Sequence, residues 1–363
     1  MAKAAESKRE RAGEELLADH EAARRLLVTM ALIRRFEERT EEQYTRARIG
    51  GYCHLAIGEE ASSVGAIDAM EEGDYLFASY RDHGTALAVG SPPAAVMAEL
   101  FGKETGVAHG RGGSMHLLDV ERRFLGGWGI VGGHLVIAVG AALALDYRDD
   151  KAAVLCQFGE GATATGAFHE ALNLAALWDL PIVFHVINNQ YGMGTSVDAA
   201  SAEPEIWKRS CAYRMHGERV DGNDVLAVRE AAARLLARAR EERCPALLET
   251  VTYRYRGHSV ADAGKVYREA SEIEEWRHRD PVERYAALLV EEGVLDEDGV
   301  KAVWEEAAET VRAAIDEALA AESPDPAGLY EHVYGDPAWE EQFGRMEPGA
   351  PFGERRETRA WRK

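Results

Sequence analysis

The chain has 363 residues, 46% hydrophobic and 29% charged, enough apolar material for the core of one large domain or two fused lobes. A formal net charge of −21 argues against nucleic acid and anionic membrane as partners, because both attract basic surfaces. No apolar run approaches the roughly 20 residues that span a bilayer.

The opening segment, through Arg25, carries several glutamates and no apolar stretch. It reads as neither a signal peptide nor an acid-poor transit peptide, so a cytoplasmic protein is expected. Cys53, Cys156, Cys211 and Cys244 lie far apart with no CxxC pair, the pattern of reduced thiols rather than a metal or disulfide site. After a charged tail over residues 1–20, the spacing of Leu26, Leu27, Met30, Ile33 and Phe36 predicts an amphipathic helix from about Asp19 to Arg46. Glycine is then dense between Gly50 and Gly133, in GGYCHLAIGEE, GRGGSMH and GGWGIVGGH. Such clusters suit loops held close to a ligand or to another backbone.

From Ala152 the order is regular. AAVLCQF reads as a buried strand, Gly166 to Trp178 as a helix, and PIVFHVI as a second buried strand. Asn223 to Arg240 is helical, and ALLETVTYR is a third strand. Apolar strands alternating with helices predict an α/β fold, a mainly parallel sheet with helices on both faces. A charged helical extension covers Pro281 to Ala321, and residues from Gly344 onward read as a loose tail. No repeat or low-complexity linker interrupts the chain, so a single domain is expected over residues 21–343.

Gly159-Glu160-Gly161 follows the first of these strands, and Asn188-Asn189 ends the second. One turn, one helix and one strand separate Glu160 from Asn189, which sets both on the same edge of the sheet, where ligands of open parallel sheets bind. A carboxylate, an amide oxygen and nearby carbonyls suit Mg²⁺, which takes oxygen ligands and often bridges to phosphates. The run from Gly159 to Ala164 also satisfies GxGxxA, the dinucleotide fingerprint. That reading wants an acid at the end of the second strand, where this chain has two asparagines. An acid inside the glycine turn would also repel a pyrophosphate unless a cation lay between them, so a cation-bridged diphosphate accounts better for these residues.

GEG followed about thirty residues later by NN resembles the thiamine-diphosphate motif. GYCHLAIGEEA, ASYRDHG, GRGGSMH, GIVGG, INNQYGMGTSV and YRYRGHS, in that order between about Arg25 and Tyr285, are similar to the alpha subunits of thiamine-diphosphate-dependent 2-oxo acid dehydrogenases, those acting on pyruvate above all. The resemblance implies Mg²⁺ ligation by Glu160, Asn189 and the carbonyl of Tyr191, with Gly161 and Ala162 beside the cofactor. Most members carry aspartate where this chain has Glu160, and the branched-chain members resemble it in carrying glutamate. The resemblance further implies that Tyr80, Arg81, Arg254 and His258 contact the diphosphate. The backbone of Gly129 and Val131 would meet the aminopyrimidine. His54 and His83 match positions on the substrate side, and His134 stands where the family has an amide.

For function, the likeness implies oxidative decarboxylation of a small 2-oxo acid and transfer of the acyl group to a lipoyl group on an acyltransferase core. His258 and His54 are the catalytic candidates, His258 for proton transfer. The family's second glutamate lies on a beta subunit, so an α2β2 assembly is implied. The stretch from Gly257 to Tyr267 matches a loop that mitochondrial relatives phosphorylate at the position of Ser259; an unmodified loop ordering around the cofactor is expected here. The competing readings are an acetoin-cleaving or branched-chain relative, a scaffold paralogue without cofactor, and a nicotinamide dehydrogenase.

Overall fold

The computed structural model describes residue 13 and residues 16–330. Its centre is a six-stranded parallel sheet made of β1 (Tyr75–Ser79), β2 (Phe124–Trp128), β3 (Val154–Gly159), β4 (Ile182–Asn188), β7 (His216–Asp221) and β8 (Ala246–Val251). The order across the sheet is β2-β1-β3-β4-β8-β7. Two short strands, β5 (Tyr191–Gly192) and β6 (Thr195–Ser196), form a separate antiparallel hairpin.

The apolar strands are buried because each face of the sheet meets its own core. Leu155, Val183 and Leu248 point into one, shared with the helices His20–Thr45, Val225–Glu242 and Glu297–Ala320. Cys156, Phe158, Phe184 and Leu247 point into the other, under the helices Gly133–Tyr147 and Gly166–Leu177. This is the two-faced parallel sheet that the sequence predicts. The amphipathic helix begins at His20, capped by the Asp19 carboxylate on the Ala22 amide at 3.1 Å, and it buries Leu26, Leu27, Met30, Ile33 and Phe36.

The predicted carboxy-terminal helical region is two helices, Pro281–Glu291 and Glu297–Ala320. Asp280 caps the first and Asp296 the second. One compact unit ends at Ser323, and another begins at Pro324. Of the latter, residues 324–330 are described, with a 3-10 turn over Pro326–Tyr330. The tail expected from Gly344 and most of the tail expected over residues 1–20 lie outside the described residues.

Order and connection together make a crevice. The chain leaves β1 toward β2 on one side and leaves β3 toward β4 on the other, while β1 and β3 are neighbours. Their carboxyl ends therefore border a topological switch point, where open α/β sheets bind ligands.

Candidate active site

Tyr80 and Arg81 leave the end of β1, Glu160 to Ala162 the end of β3, Asn189 the end of β4, and Arg254 and His258 the chain beyond β8. All line one cavity of about 270 Å³ at the switch point, together with Val131 and Tyr191. A wider cavity of about 580 Å³ adjoins it, with Tyr80, Val131, Met193 and His258 in both walls. Gly129 and His54 line the wider one. Every site residue expected from the sequence thus borders a single cleft, with His83 as the exception.

The turn at Gly161 packs against the hairpin at Gly192. A Cβ on Gly161 would lie 3.6 Å from the Cα of Gly192, and one on Gly192 would lie 3.5 Å from the Glu160 carboxylate. Gln190 and Met193 flank this contact with φ of 77° and 55°, left-handed values that side chains other than glycine seldom adopt. Strain of this kind is kept where the surroundings enforce it. Here Arg254 enforces it, donating to the carbonyls of Tyr191 and Met193, each at 2.8 Å. The Asn189 Nδ2 donates to the Glu59 carboxylate at 2.8 Å, and its Oδ1 accepts from the Tyr191 amide at 3.3 Å.

Burial dominates the electrostatics. It pushes the Glu160 carboxyl up to about 7, aided by the charge of Glu59 and opposed by backbone amides and Arg254. Glu59 is also raised by burial, against the pull of Arg81 and Arg254. Burial and the Arg81 charge hold His54 down to about 3 and His258 to about 4, so both imidazoles are neutral near pH 7. The three rings cluster, His54 lying 4.6 Å from Tyr80 and 4.9 Å from His258. Arg81 donates to the carbonyls of Leu55 at 2.6 Å and His258 at 3.0 Å, with Glu59 3.6 Å from its Nε.

A family model described as "Dehydrogenase E1 component" matches residues 28–327. The chain belongs to this family. Among its curated relatives is "Pyruvate dehydrogenase E1 component subunit alpha" of Rhizobium meliloti, 43% identical over 84% of this chain and 87% of the relative. The protein of the same name from Rickettsia conorii is 39% identical over 84% of this chain and 93% of its own. The chloroplastic subunit alpha-3 of Arabidopsis thaliana is 40% identical over 89% of this chain and 76% of its own.

Membership among E1 components implies thiamine diphosphate as cofactor, and the donor chemistry of the cleft fits a diphosphate with a divalent cation. Two arginines face the cavity for the anion. Glu160 offers a buried carboxylate, and Asn189 Oδ1 and the Tyr191 carbonyl each accept one hydrogen bond and keep a second lone pair. These are hard oxygen donors.

The structure also shows what sequence reading missed in this E1 component. Glu59 faces the cavity, while its neighbour Glu60 is turned away and locked to Arg34 at 2.5 Å, itself paired with Asp280 at 2.9 Å. His83, expected on the substrate side, is fully buried between Glu37 and Ser114, with 2.8 Å to each. Its ring ties the helix His20–Thr45, through Glu37, to Ser114, and it lines neither cavity. His134 does line the cavity; its Nε2 lies 2.9 Å from the Gln157 carbonyl, and burial lowers it to about 4. Glu99 accepts the amides of Ala108, Gly110, Gly112 and Gly113 at 2.7–3.0 Å, which gathers the GRGGSMH segment around one carboxylate. Residues 257–268 close on Asp262, which accepts the amides of His258 at 2.7 Å and Gly264 at 2.9 Å and the hydroxyl of Tyr267.

Proposed function

We propose that this chain is the alpha subunit of an E1 component that decarboxylates pyruvate and passes the acyl group to a lipoyl group. The observation that carries the reading is the convergence, at the switch point, of Arg81, Arg254, Glu160, Asn189 and His258 on one cavity. Thiamine diphosphate supplies the electron sink for the carbanion when bound. Its diphosphate would lie against Arg81, Arg254, Tyr80 and His258, with Mg²⁺ held by Glu160, Asn189 and the Tyr191 carbonyl. Gly129 and Val131 line the wider cavity, where a flat ring would lie against them. His258 and His54, neutral and adjacent, are suited to accept or relay a proton beside the reacting carbon. Met115 and Met193 give the wider cavity an apolar side against which a small substrate can lie.

A beta subunit would complete the cleft, and a lipoyl domain would reach it from outside. The helix Gly133–Tyr147 supports a partner, because Val136, Ile137, Leu143 and Tyr147 leave one of its sides apolar and exposed, next to Ile130 at 75% exposure. Among the described residues no helix is long and apolar enough to cross a membrane. The test is calorimetric titration of thiamine diphosphate into the chain co-expressed with a beta subunit, with and without Mg²⁺, alongside pyruvate-dependent CO₂ release. Metal-dependent binding and decarboxylation by the pair, but not by the chain alone, is expected. An intact pair that binds no cofactor would overturn the reading in favour of a scaffold. The roomy, apolar second cavity and the glutamate at position 160 favour branched-chain 2-oxo acids as a second substrate class, which the same CO₂ assay distinguishes.

A further inference from the structure

We infer that Glu59 is a positioning residue of the cation site, which aims the Asn189 amide oxygen at the ion; this rests on the diphosphate and cation reading above. Glu59 is 4% exposed and lies on a turn that cannot shift easily. Gly58, immediately before it, has a φ of +101°, and a Cβ there would lie 2.2 Å from the Tyr253 carbonyl. Thr252 Oγ1 also donates to the Gly58 carbonyl at 2.7 Å. The turn between Ile57 and the helix Glu60–Asp68 is therefore pinned to the exit of β8, and the Glu59 carboxylate is delivered to Asn189 and Arg81.

The chemistry of the pair settles which end of the Asn189 amide faces which way. The NH₂ group of the asparagine can only donate, and the Glu59 carboxyl oxygen is the acceptor it meets. The 2.8 Å contact is that bond, and it leaves Oδ1 on the other side, where the Tyr191 amide meets it at 3.3 Å. A side chain that could both donate and accept would leave the amide free to present NH₂ to a cation, which repels it. Glu59 sits outside the ligand set assigned above, yet of the two contacts that orient the Asn189 amide, the Tyr191 amide on its oxygen and Glu59 on its NH₂, the Glu59 bond is the shorter. Sequence distance hides this coupling, since the two residues are 130 positions apart.

The experiment uses the assembled alpha–beta complex, saturated with thiamine diphosphate, and measures Mn²⁺ binding by paramagnetic resonance. Glu59→Gln leaves an amide facing an amide, and Asn189→Asp leaves a carboxylate facing a carboxylate. Each single variant is expected to weaken Mn²⁺ by about tenfold or more, the usual effect of losing a partner of a metal ligand. The double variant, Glu59→Gln with Asn189→Asp, restores one donor facing one acceptor at unchanged net charge. It is expected to recover to within about threefold of the parent complex, a coupling that simple damage to the fold would not give. Parent-like Mn²⁺ affinity in Glu59→Gln overturns the inference, as does a double variant no better than the weaker single. If the intact parent complex binds neither thiamine diphosphate nor Mn²⁺, the cation reading falls first and takes this one with it.

Discussion

Replacing Glu160 by glutamine should make the metal-free protein more stable at alkaline pH, although it removes a group assigned to bind the ion. Burial lifts this carboxyl from an ordinary value of 4.5 to about 7. The folded chain therefore holds a proton that the unfolded chain has already released, and its stability falls as pH rises from about 4.5 to about 7. A shift of roughly 2.5 units at about 1.36 kcal/mol each corresponds to about 3 kcal/mol to order of magnitude, fully felt above pH 7. With an unfolding entropy of about 2.1 cal/mol/K per residue, a chain of this length loses about 4 °C in melting temperature. The glutamine variant carries no such charge and escapes that loss. The assay is a set of melting curves of the full chain in chelator, from pH 5 to 8.5, for both proteins. The two should lie within about 1 °C at pH 5 and separate by about 4 °C at pH 8, the variant melting higher. Asp82, also buried and raised to about 7, destabilises both proteins equally and cancels in the difference. Adding Mg²⁺ and thiamine diphosphate to the assembled complex should reverse the order, because the carboxylate then gains a partner. Parallel curves across the range would refute the reasoning.

Arg81→Lys should weaken thiamine diphosphate binding by about ten- to a hundredfold in calorimetry on the complex, since an ammonium cannot hold the carbonyls of Leu55 and His258 and still present a fork to phosphate; an unchanged Kd would count against it. His54 and His258 should show no imidazole titration by NMR between pH 5.5 and 8 in the cofactor-free chain, because burial and Arg81 hold both well below their ordinary value. Acidification below about 6.5 then favours the unfolded chain, where these rings bind protons freely; a midpoint near 6.5 in the folded chain would contradict the geometry. Glu37→Gln leaves His83 buried beside Ser114 without its carboxylate and should cost about 3–5 kcal/mol in chemical denaturation. A loss below about 1 kcal/mol would mean that the pair contributes little. Asp262→Ala removes the acceptor of the His258 and Gly264 amides and should speed proteolysis within residues 257–268 before the rest of the chain unfolds.

Strands β3, β4 and β8 were legible because parallel strands buried on both faces are written as continuous apolar runs. β7, HGERVD, sits at the edge of the sheet with most of its side chains partly exposed, so its sequence carries no such run. β2, FLGGW, contains two glycines and reads locally as a turn; Gly127 is required there because a Cβ would collide with the Asp82 carboxylate. Cleft residues close behind strand ends, such as Glu160, Asn189 and Arg81, could be placed from motif order. Glu59 could not, since a pair of glutamates ahead of AxxVG looks like any acidic helix start. Only the meeting of that turn with β4 and β8 separates the cavity-facing glutamate from the one locked to Arg34. His83 failed the other way, because its motif places it near the cleft while its ring, paired with the Glu37 carboxylate, lines neither cavity.

The two arginines of the cleft are tethered by main-chain oxygens before any anion arrives. Arg254 spends most of its N–H groups on the carbonyls of Tyr191, Met193 and Arg256, and Arg81 is held by Leu55 and His258. An unrestrained arginine surrenders about 1.5–2 kcal/mol of rotamer freedom when it is immobilised, so two of them represent about 3 kcal/mol already spent during folding. An anion entering this cleft is spared that loss, which is worth about a hundredfold in Kd. The positive charge waits in place, and recognition becomes a matter of exchanging water for phosphate rather than of catching moving side chains.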